Sequence, residues 1–169
     1  MNNEPREKIL MIDDDVLVTE IIGTVLRNHG FRFESAANGI EGLEKARDLH
    51  PDLILLDISM PRMDGFQACR KLKEDPSNRK IPVVMLTASS ERQSRIQALE
   101  SGANDFLSKP VDSTELVVRV NNLLESKRYQ DTLEEQGIIG PQQHGSQVRE
   151  VLDFGIVDPV VEGEPEEEE

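Results

Sequence analysis

The stretch Pro51-Asp52-Leu53-Ile54-Leu55-Leu56-Asp57-Ile58-Ser59-Met60-Pro61 decides the fold of this chain. Its four consecutive apolar residues, Leu53 to Leu56, predict a strand that is buried on both faces, as in the middle of a parallel sheet. The strand ends in a carboxylate, Asp57, which should therefore lie at the carboxyl end of a central strand. In open α/β sheets this is the edge at which ligands bind.

Strand-like and helix-like segments alternate on both sides of this stretch. The other four predicted strands are Ile9–Ile12, Phe31–Glu34, Ile81–Leu86 and Asp105–Ser108. Five helices are predicted between and after the strands: 16–28, 38–50, 66–75, 91–101 and a last one that begins after Asp112. This order predicts an α/β fold, a doubly wound parallel sheet of five strands with five helices.

Apolar residues recur at helical spacing in the predicted helices. The first helix carries two adjoining apolar rows: Leu17, Ile21, Val25 and Val18, Ile22, Leu26. The fourth helix offers few apolar residues beyond Ile96, Ala98 and Leu99, so we expect it to be lightly anchored.

Charge divides the chain into two parts. The net charge of the 169 residues is −14, and residues 129–169 hold 12 acidic residues against one arginine. We predict one folded domain over residues 6–128 and an acidic, largely disordered tail over 129–169, in which 129–136 extend the last helix. An apolar island, Val151–Val157, interrupts the tail. Two interpretations remain open: the island is part of a linker, or it is a short docking peptide or edge-pairing strand.

Composition also limits the classes of function. The single cysteine, Cys69, excludes an internal disulfide and fits a reducing compartment. No run approaches the ~18 apolar residues that a membrane span needs, and the N-terminus lacks the apolar core of a signal peptide. We therefore expect a cytoplasmic protein, and the absence of a basic face argues against nucleic-acid binding.

Polar residues follow the predicted strands where each strand ends. Asp13-Asp14-Asp15 follow the first strand, Asp57 ends the third, and Thr87 and Lys109-Pro110 follow the fourth and fifth. Because parallel strands end at one edge of a sheet, these side chains should lie together. Crowded carboxylates favour a shared cation, and Mg²⁺ prefers such oxygen ligands. A carboxylate beside this ion is a competent nucleophile for phosphoryl transfer, giving an aspartyl phosphate.

Four motifs in order resemble the receiver domains of bacterial two-component response regulators, from about Glu7 to Lys127. They are Met11–Asp15, Leu56–Gly65, Met85–Ala88 and Asp105–Pro110. The resemblance implies a flavodoxin-like sheet with strand order 2-1-3-4-5. It also implies a signalling phosphoacceptor, which is not an enzyme but assists its own phosphorylation and dephosphorylation.

The resemblance assigns the metal and the phosphoacceptor to particular positions. Asp57 is expected to be the phosphoacceptor. Mg²⁺ is expected to bind Asp13, Asp14, Asp57 and the backbone carbonyl of Ser59, with Asp13 acting through water.

The same resemblance implies a switch beside the phosphoacceptor. Thr87 and Lys109 are expected to contact the phosphoryl group, and Phe106 is expected to turn inward when Thr87 moves. The Lys109–Pro110 bond is expected to be cis, since proline lowers the cost of the cis form to roughly 0.5–1 kcal/mol.

The implied partners are a sensor histidine kinase or phosphotransfer protein as donor, and a downstream protein that binds the face of helix 4, strand 5 and helix 5. The 41 residues of 129–169 are too few and too acidic for a winged-helix module, so we expect a stand-alone receiver that signals by protein contact. The alternative is an adaptor, or a receiver fragment of a larger regulator with its output elsewhere.

Three other classes of protein fit less well. An aspartyl-nucleophile phosphatase needs a second aspartate two residues after the nucleophile, where this chain has Ser59. A flavin carrier needs a glycine- and hydroxyl-rich phosphate loop after the first strand, where Asp13-Asp14-Asp15 would repel a phosphate. A P-loop nucleotide hydrolase needs a G-x-x-x-x-G-K-[ST] run, which the sequence lacks.

Overall fold

The computed structural model describes residues 6–88 and 91–140. In chain order its elements are β1 (Lys8–Ile12), α1 (Val16–Asn28), β2 (Arg32–Ala36), α2 (Gly39–Leu49), β3 (Leu53–Asp57), α3 (Gly65–Glu74), β4 (Val83–Thr87), α4 (Arg92–Glu100), β5 (Asp105–Ser108) and α5 (Ser113–Glu135).

The five strands form one parallel sheet in the order β2-β1-β3-β4-β5. β3 lies in the centre, with β1 on one side and β4 on the other. The register places Ile12 beside Leu56, and Leu86 beside Asp57. This arrangement confirms the predicted fold class and strand order.

Alternate residues of β3 pack on opposite faces of the sheet, as expected for a strand with side-chain period 2. Ile54 and Leu56 belong to the core cluster that includes residues of α2, α3 and α4, such as Ala46 and Leu72. Leu53 and Leu55 belong to the cluster formed with α1 and α5. All four are completely buried, which explains the uninterrupted apolar run.

The first helix buries one of its two apolar rows more fully than the other. Ile22 and Leu26 are buried and Val18 packs against the same core, whereas Leu17 is 70 % exposed and Ile21 is 56 % exposed. A helix on one face of a sheet can cover only one stripe of its surface, so Leu17 and Ile21 are left at the surface, while Val25 of the same row is partly buried against the core. The predicted bounds also shift: β2 begins at Arg32 and β4 begins at Val83, after Pro82.

α5 continues past Arg128 to Glu135. Its distal turns are tied to the domain by Arg128, which lies 3.4 Å from Glu7, and by Lys80, which pairs with Glu134. Across the described ranges, no helix is both long and apolar enough to cross a membrane. The predicted tail spans 129–169, and its residues 141–169, which include the apolar island, lie outside the described residues.

Gly65 begins α3 immediately behind the end of β3. Its amide donates a hydrogen bond of 2.8 Å to the carbonyl of Ile58. A Cβ at this position would lie 2.7 Å from the Cα of Ile58 and against the carbonyl oxygen of Asp57. These neighbours are backbone atoms and cannot move aside as a flexible side chain can, so the close approach of α3 to the strand end requires glycine.

We predict that Gly65→Ala lowers the free energy of unfolding by about 1–3 kcal/mol, because the added methyl group displaces backbone. Without a clash the same change would stabilise a helix by about 0.5–1 kcal/mol. Gly140→Ala is the control, since a Cβ there meets nothing within 4 Å. Urea unfolding measures both variants, and equal stabilities for the two would refute the packing argument.

Candidate functional site

The carboxyl ends of β1 and β3 bring three aspartates together. Asp13 and Asp57 are buried and Asp14 is exposed, and one carboxylate oxygen of each lies within 4.8 Å of the others. Asp13 follows β1 and Asp57 ends β3, which are neighbouring strands. The parallel register therefore creates this acidic cluster at one edge of the sheet.

Lys109 supplies a cation to the two buried carboxylates. Its Nζ donates to Asp13 at 2.9 Å and to Asp57 at 3.1 Å. Its backbone amide donates to the carbonyl of Thr87 at 2.7 Å, which fixes the end of β5 on β4. The following peptide bond, Lys109–Pro110, is cis.

The charges of this cluster shift two pKa values. Burial, and then the charge of Asp13, raise the pKa of Asp57, and the nearby Lys109 offsets only part of this effect. Burial alone would lower the pKa of Lys109, but its hydrogen bond to Asp13 and the charges of both aspartates outweigh burial and raise it. Asp57 thus resists ionising while Lys109 is held as an ammonium.

The backbone after β1 orders the acidic cluster. The amide of Asp15 donates to the Asp13 carboxylate at 2.8 Å. Asp15 itself caps α1, because its carboxylate accepts from the amides of Leu17 and Val18. Of the three consecutive aspartates, Asp15 therefore stabilises the helix end, and only Asp13 and Asp14 join Asp57 in the cluster.

Thr87 and Ser59 flank Asp57. Thr87 is buried and ends β4, one residue beyond Leu86, which is the register partner of Asp57. Ser59 is exposed, and its amide lies 3.4 Å from an oxygen of Asp57.

Phe106 lies in β5, in register with Met85. It is partly buried and packs against the core on the side of α2, α3 and α4. The guanidinium of Arg95, in α4, lies over its ring, 5.1 Å from the centroid. This cation–π contact was missed by sequence reasoning, because no local pattern links residues 95 and 106.

The donor set fits a hard divalent cation. Each of the three carboxylates has an oxygen within 4.8 Å of the other two, and the two buried carboxylates share the ammonium of Lys109. Mg²⁺ uses one or two carboxylates and keeps several waters. The exposure of Asp14 leaves this side of the cluster open to solvent.

A family model described as "Response regulator receiver domain" matches residues 9–121. The chain belongs to this family. Receiver domains are phosphoacceptors in two-component signalling and bind Mg²⁺ through an acidic pocket, and the described residues of this chain include a cluster of three aspartates.

Curated relatives support this membership. The chain is 46% identical over 134 residues to "Response regulator PleD" of Caulobacter vibrioides, covering 79% of this chain and 29% of that protein. It is 43% identical over 117 residues to "DNA-binding dual master transcriptional regulator RpaA" of Synechocystis sp. This match covers 69% of this chain and 48% of that protein. The chain therefore spans about half of RpaA and less than a third of PleD.

Solved receiver domains share the fold over nearly their full length. A receiver domain of a signal transduction histidine kinase from Syntrophus aciditrophicus is 36% identical with a TM-score of 0.67, and covers 72% of this chain and 92% of that one. The chemotaxis protein CheY4 of Vibrio cholerae is 27% identical with a TM-score of 0.67. This match covers 69% of this chain and 98% of that one.

The raised pKa of Asp57 predicts the direction of a pH effect. Between the ordinary and the raised pKa, the folded state binds more protons than the unfolded state, so the metal-free protein loses stability as the pH rises through this window. Asp57→Asn should remove this loss and stabilise the metal-free protein at neutral pH, by on the order of 1 kcal/mol.

Urea unfolding in chelator over a pH series measures the effect. Asp48→Asn is the control, because Asp48 is an exposed carboxylate of α2 away from the cluster. Identical pH profiles for the wild type and Asp57→Asn would contradict the electrostatic argument.

Proposed function

We propose that Asp57 accepts a phosphoryl group from a histidine kinase or a phosphotransfer protein in a Mg²⁺-dependent reaction, and that the phosphorylated chain signals by contact with another protein. The observation that carries this proposal is the position of Asp57. It lies at the carboxyl end of the central strand, within 4.8 Å of two other carboxylates and 3.1 Å from an ammonium.

In the proposed reaction, a carboxylate oxygen of Asp57 attacks the phosphorus of a phosphohistidine. The new bond joins this oxygen to phosphorus, the phosphorus–nitrogen bond breaks, and the imidazole of the donor leaves with the electron pair. Bound Mg²⁺ would neutralise charge on the phosphoryl oxygens, as metal ions do in phosphoryl transfer. Asp13, Asp14 and the backbone carbonyl of Ser59 would hold the ion together with Asp57.

The other residues of the site would position and neutralise the phosphoryl group. Lys109 already lies between the two buried carboxylates and can follow the new negative charge. Thr87 ends the neighbouring strand and would donate its hydroxyl to a phosphoryl oxygen. The protein contributes mainly position and charge, which is what phosphoryl transfer requires.

The proposed output is a shift between two states of the α4–β5–α5 face. Phosphorylation adds charge and strong acceptor oxygens near Thr87, so the state that pairs with them is favoured. Phe106 would turn inward as Thr87 moves, and this turn would break its contact with Arg95. The anchoring of α4 is weak, since Ala98 is its one fully buried residue in the described part of the chain.

A second candidate is that this chain is the receiver unit of a larger regulator. The observation that favours it is coverage, since the chain spans only 48% of RpaA and 29% of PleD. The mass of the protein isolated from its native cells distinguishes the two candidates. A mass equal to that of this sequence supports the stand-alone receiver, and a larger mass supports the second candidate.

We predict that Asp57→Asn abolishes phosphorylation by acetyl phosphate or a cognate kinase, because the amide lacks the nucleophilic oxygen. Intact-protein mass spectrometry and phosphate-affinity gels measure the phosphorylated fraction. Asp48→Asn, with the same change at an exposed site on α2, should be phosphorylated like the wild type. Retained phosphorylation of Asp57→Asn at the normal rate would reject the assignment.

We predict that Mg²⁺ raises the melting temperature of the wild type and that Asp14→Asn loses most of this increase. Binding to the folded state alone stabilises by about 2.7 kcal/mol at 100 times the dissociation constant. Asp14 is the exposed member of the cluster, so its loss should leave the metal-free melting temperature almost unchanged. Thermal melts with and without Mg²⁺ measure this, and an undiminished increase in the variant would exclude Asp14 as a ligand.

A further inference from the structure

Two adjoining grooves run along the outer side of α3. The first has a volume of about 330 Å³ and is lined by residues that include Arg62, Met63 and Arg70. The second has a volume of about 230 Å³ and lies between α2 and α3, where Leu43 and Arg47 line it. Lys71 and Glu74 line both, so the two grooves form one continuous depression, the α3 groove.

Positive charge is concentrated in the α3 groove although the chain as a whole is acidic. Of its lining residues four are basic and two are acidic. Arg47 is paired with Asp75 at 3.6 Å. Arg62, Arg70 and Lys71 are exposed, and no ion pair in the described part of the chain involves them. Residues 6–128 therefore have a local basic face although their net charge is nearly neutral. The sequence did not predict this face.

Asn78 also lines this groove. Its side chain is buried, with 2 % of the residue exposed, and its Nδ2 lies 3.4 Å from Asp75. Its Oδ1 is buried and accepts no hydrogen bond from the described residues. An unpaired buried acceptor destabilises the folded protein. Rotation of the Asn78 side chain toward the groove would let this oxygen accept from a backbone amide of a bound segment.

The C-terminal end of α5 lies near this groove. The last turn of α5 is joined to the domain by the ion pair of Glu134 with Lys80, and Lys80 follows Asn78 by two residues. The 29 residues 141–169 can span up to about 100 Å when extended. The 10 residues of α3 are only about 15 Å long. The segment is therefore long enough to reach every part of the groove.

The composition of residues 141–169 matches the groove. They contain nine acidic residues and one arginine. The apolar island Val151–Val157 lies among these charges, and the groove offers the half-buried side chains of Leu43 and Met63. An apolar segment flanked by carboxylates is complementary to a groove that holds two half-buried apolar side chains among arginine and lysine.

We propose that the α3 groove is the docking site of residues 141–169 of the same chain. Carboxylates of the segment pair with Arg62, Arg70 and Lys71, and a backbone amide of the segment donates to Asn78. Attachment to α5 raises the effective concentration of the segment to about the millimolar range, so weak contacts suffice. The contact involves none of the phosphoryl-binding residues and stands independently of the phosphoacceptor assignment.

A spin label tests this docking in the full chain. A nitroxide is attached through Ser146→Cys, since the thiol of Cys69 is buried and burial raises its pKa, which suppresses its reaction. In the ¹⁵N-labelled protein, the amides of α3 and Asn78 should lose most of their signal relative to the reduced nitroxide, while those of α1 keep theirs. Salt at about 1 M, where the Debye length is about 3 Å, should restore the lost signals.

Matched charge reversals provide the control. Lys71→Glu should restore the α3 signals, whereas Arg92→Glu, an equal reversal on exposed α4, should leave them broadened. Absence of signal loss at α3, or an equal effect of the two reversals, would overturn the proposal. A mixture of two samples tests docking between copies: one chain carries the nitroxide without ¹⁵N, and the other carries ¹⁵N without the nitroxide. Signal loss in this mixture would also overturn the proposal, because the segment would then dock on another copy.

Discussion

The ammonium of Lys109, shared between Asp13 and Asp57, is the interaction on which the arrangement of this edge depends. It joins the ends of β1, β3 and β5, although β4 separates β5 from β3 in the sheet. Removing this ammonium would leave two buried carboxylates without compensation, and the loss of one partner of a buried ion pair commonly costs about 3–5 kcal/mol. A single ammonium cannot balance three carboxylates, and the remaining negative charge attracts a divalent cation.

This imbalance links stability to function. Burial and Asp13 raise the pKa of Asp57, so the ionised cluster is destabilising in the metal-free protein. In the proposed function, the same surplus of oxygen ligands would bind the metal, and Asp57 would act as the nucleophile beside it. Gly65 allows α3 to pack directly against the end of β3, because only a residue without a side chain lets the helix approach the backbone of Asp57 so closely.

Much of the fold and the cluster follows from the sequence. The spacing of apolar residues determines the strands and helices, and the position of polar residues at strand ends determines the cluster. The run Leu53–Leu56 requires burial on both faces, and parallel strands necessarily bring the residues that follow them to one edge. What the sequence could not provide depends on contacts distant along the chain. Nothing local distinguishes the exposed Leu17 from the buried Ile22, or places Arg95 over Phe106. The sequence did not predict the basic face of α3 for a related reason, because the net charge of a segment averages over all the surfaces that its residues form.

The most direct test of the account counts the protons released when Mg²⁺ binds. Calorimetric titration in buffers of different ionisation enthalpy measures this number together with the stoichiometry. The account predicts one ion per chain and a proton release that grows as the pH is lowered from neutrality toward the ordinary pKa of aspartate, because the ion displaces a proton from Asp57. Binding without proton release at every pH, or no binding at all, would contradict it.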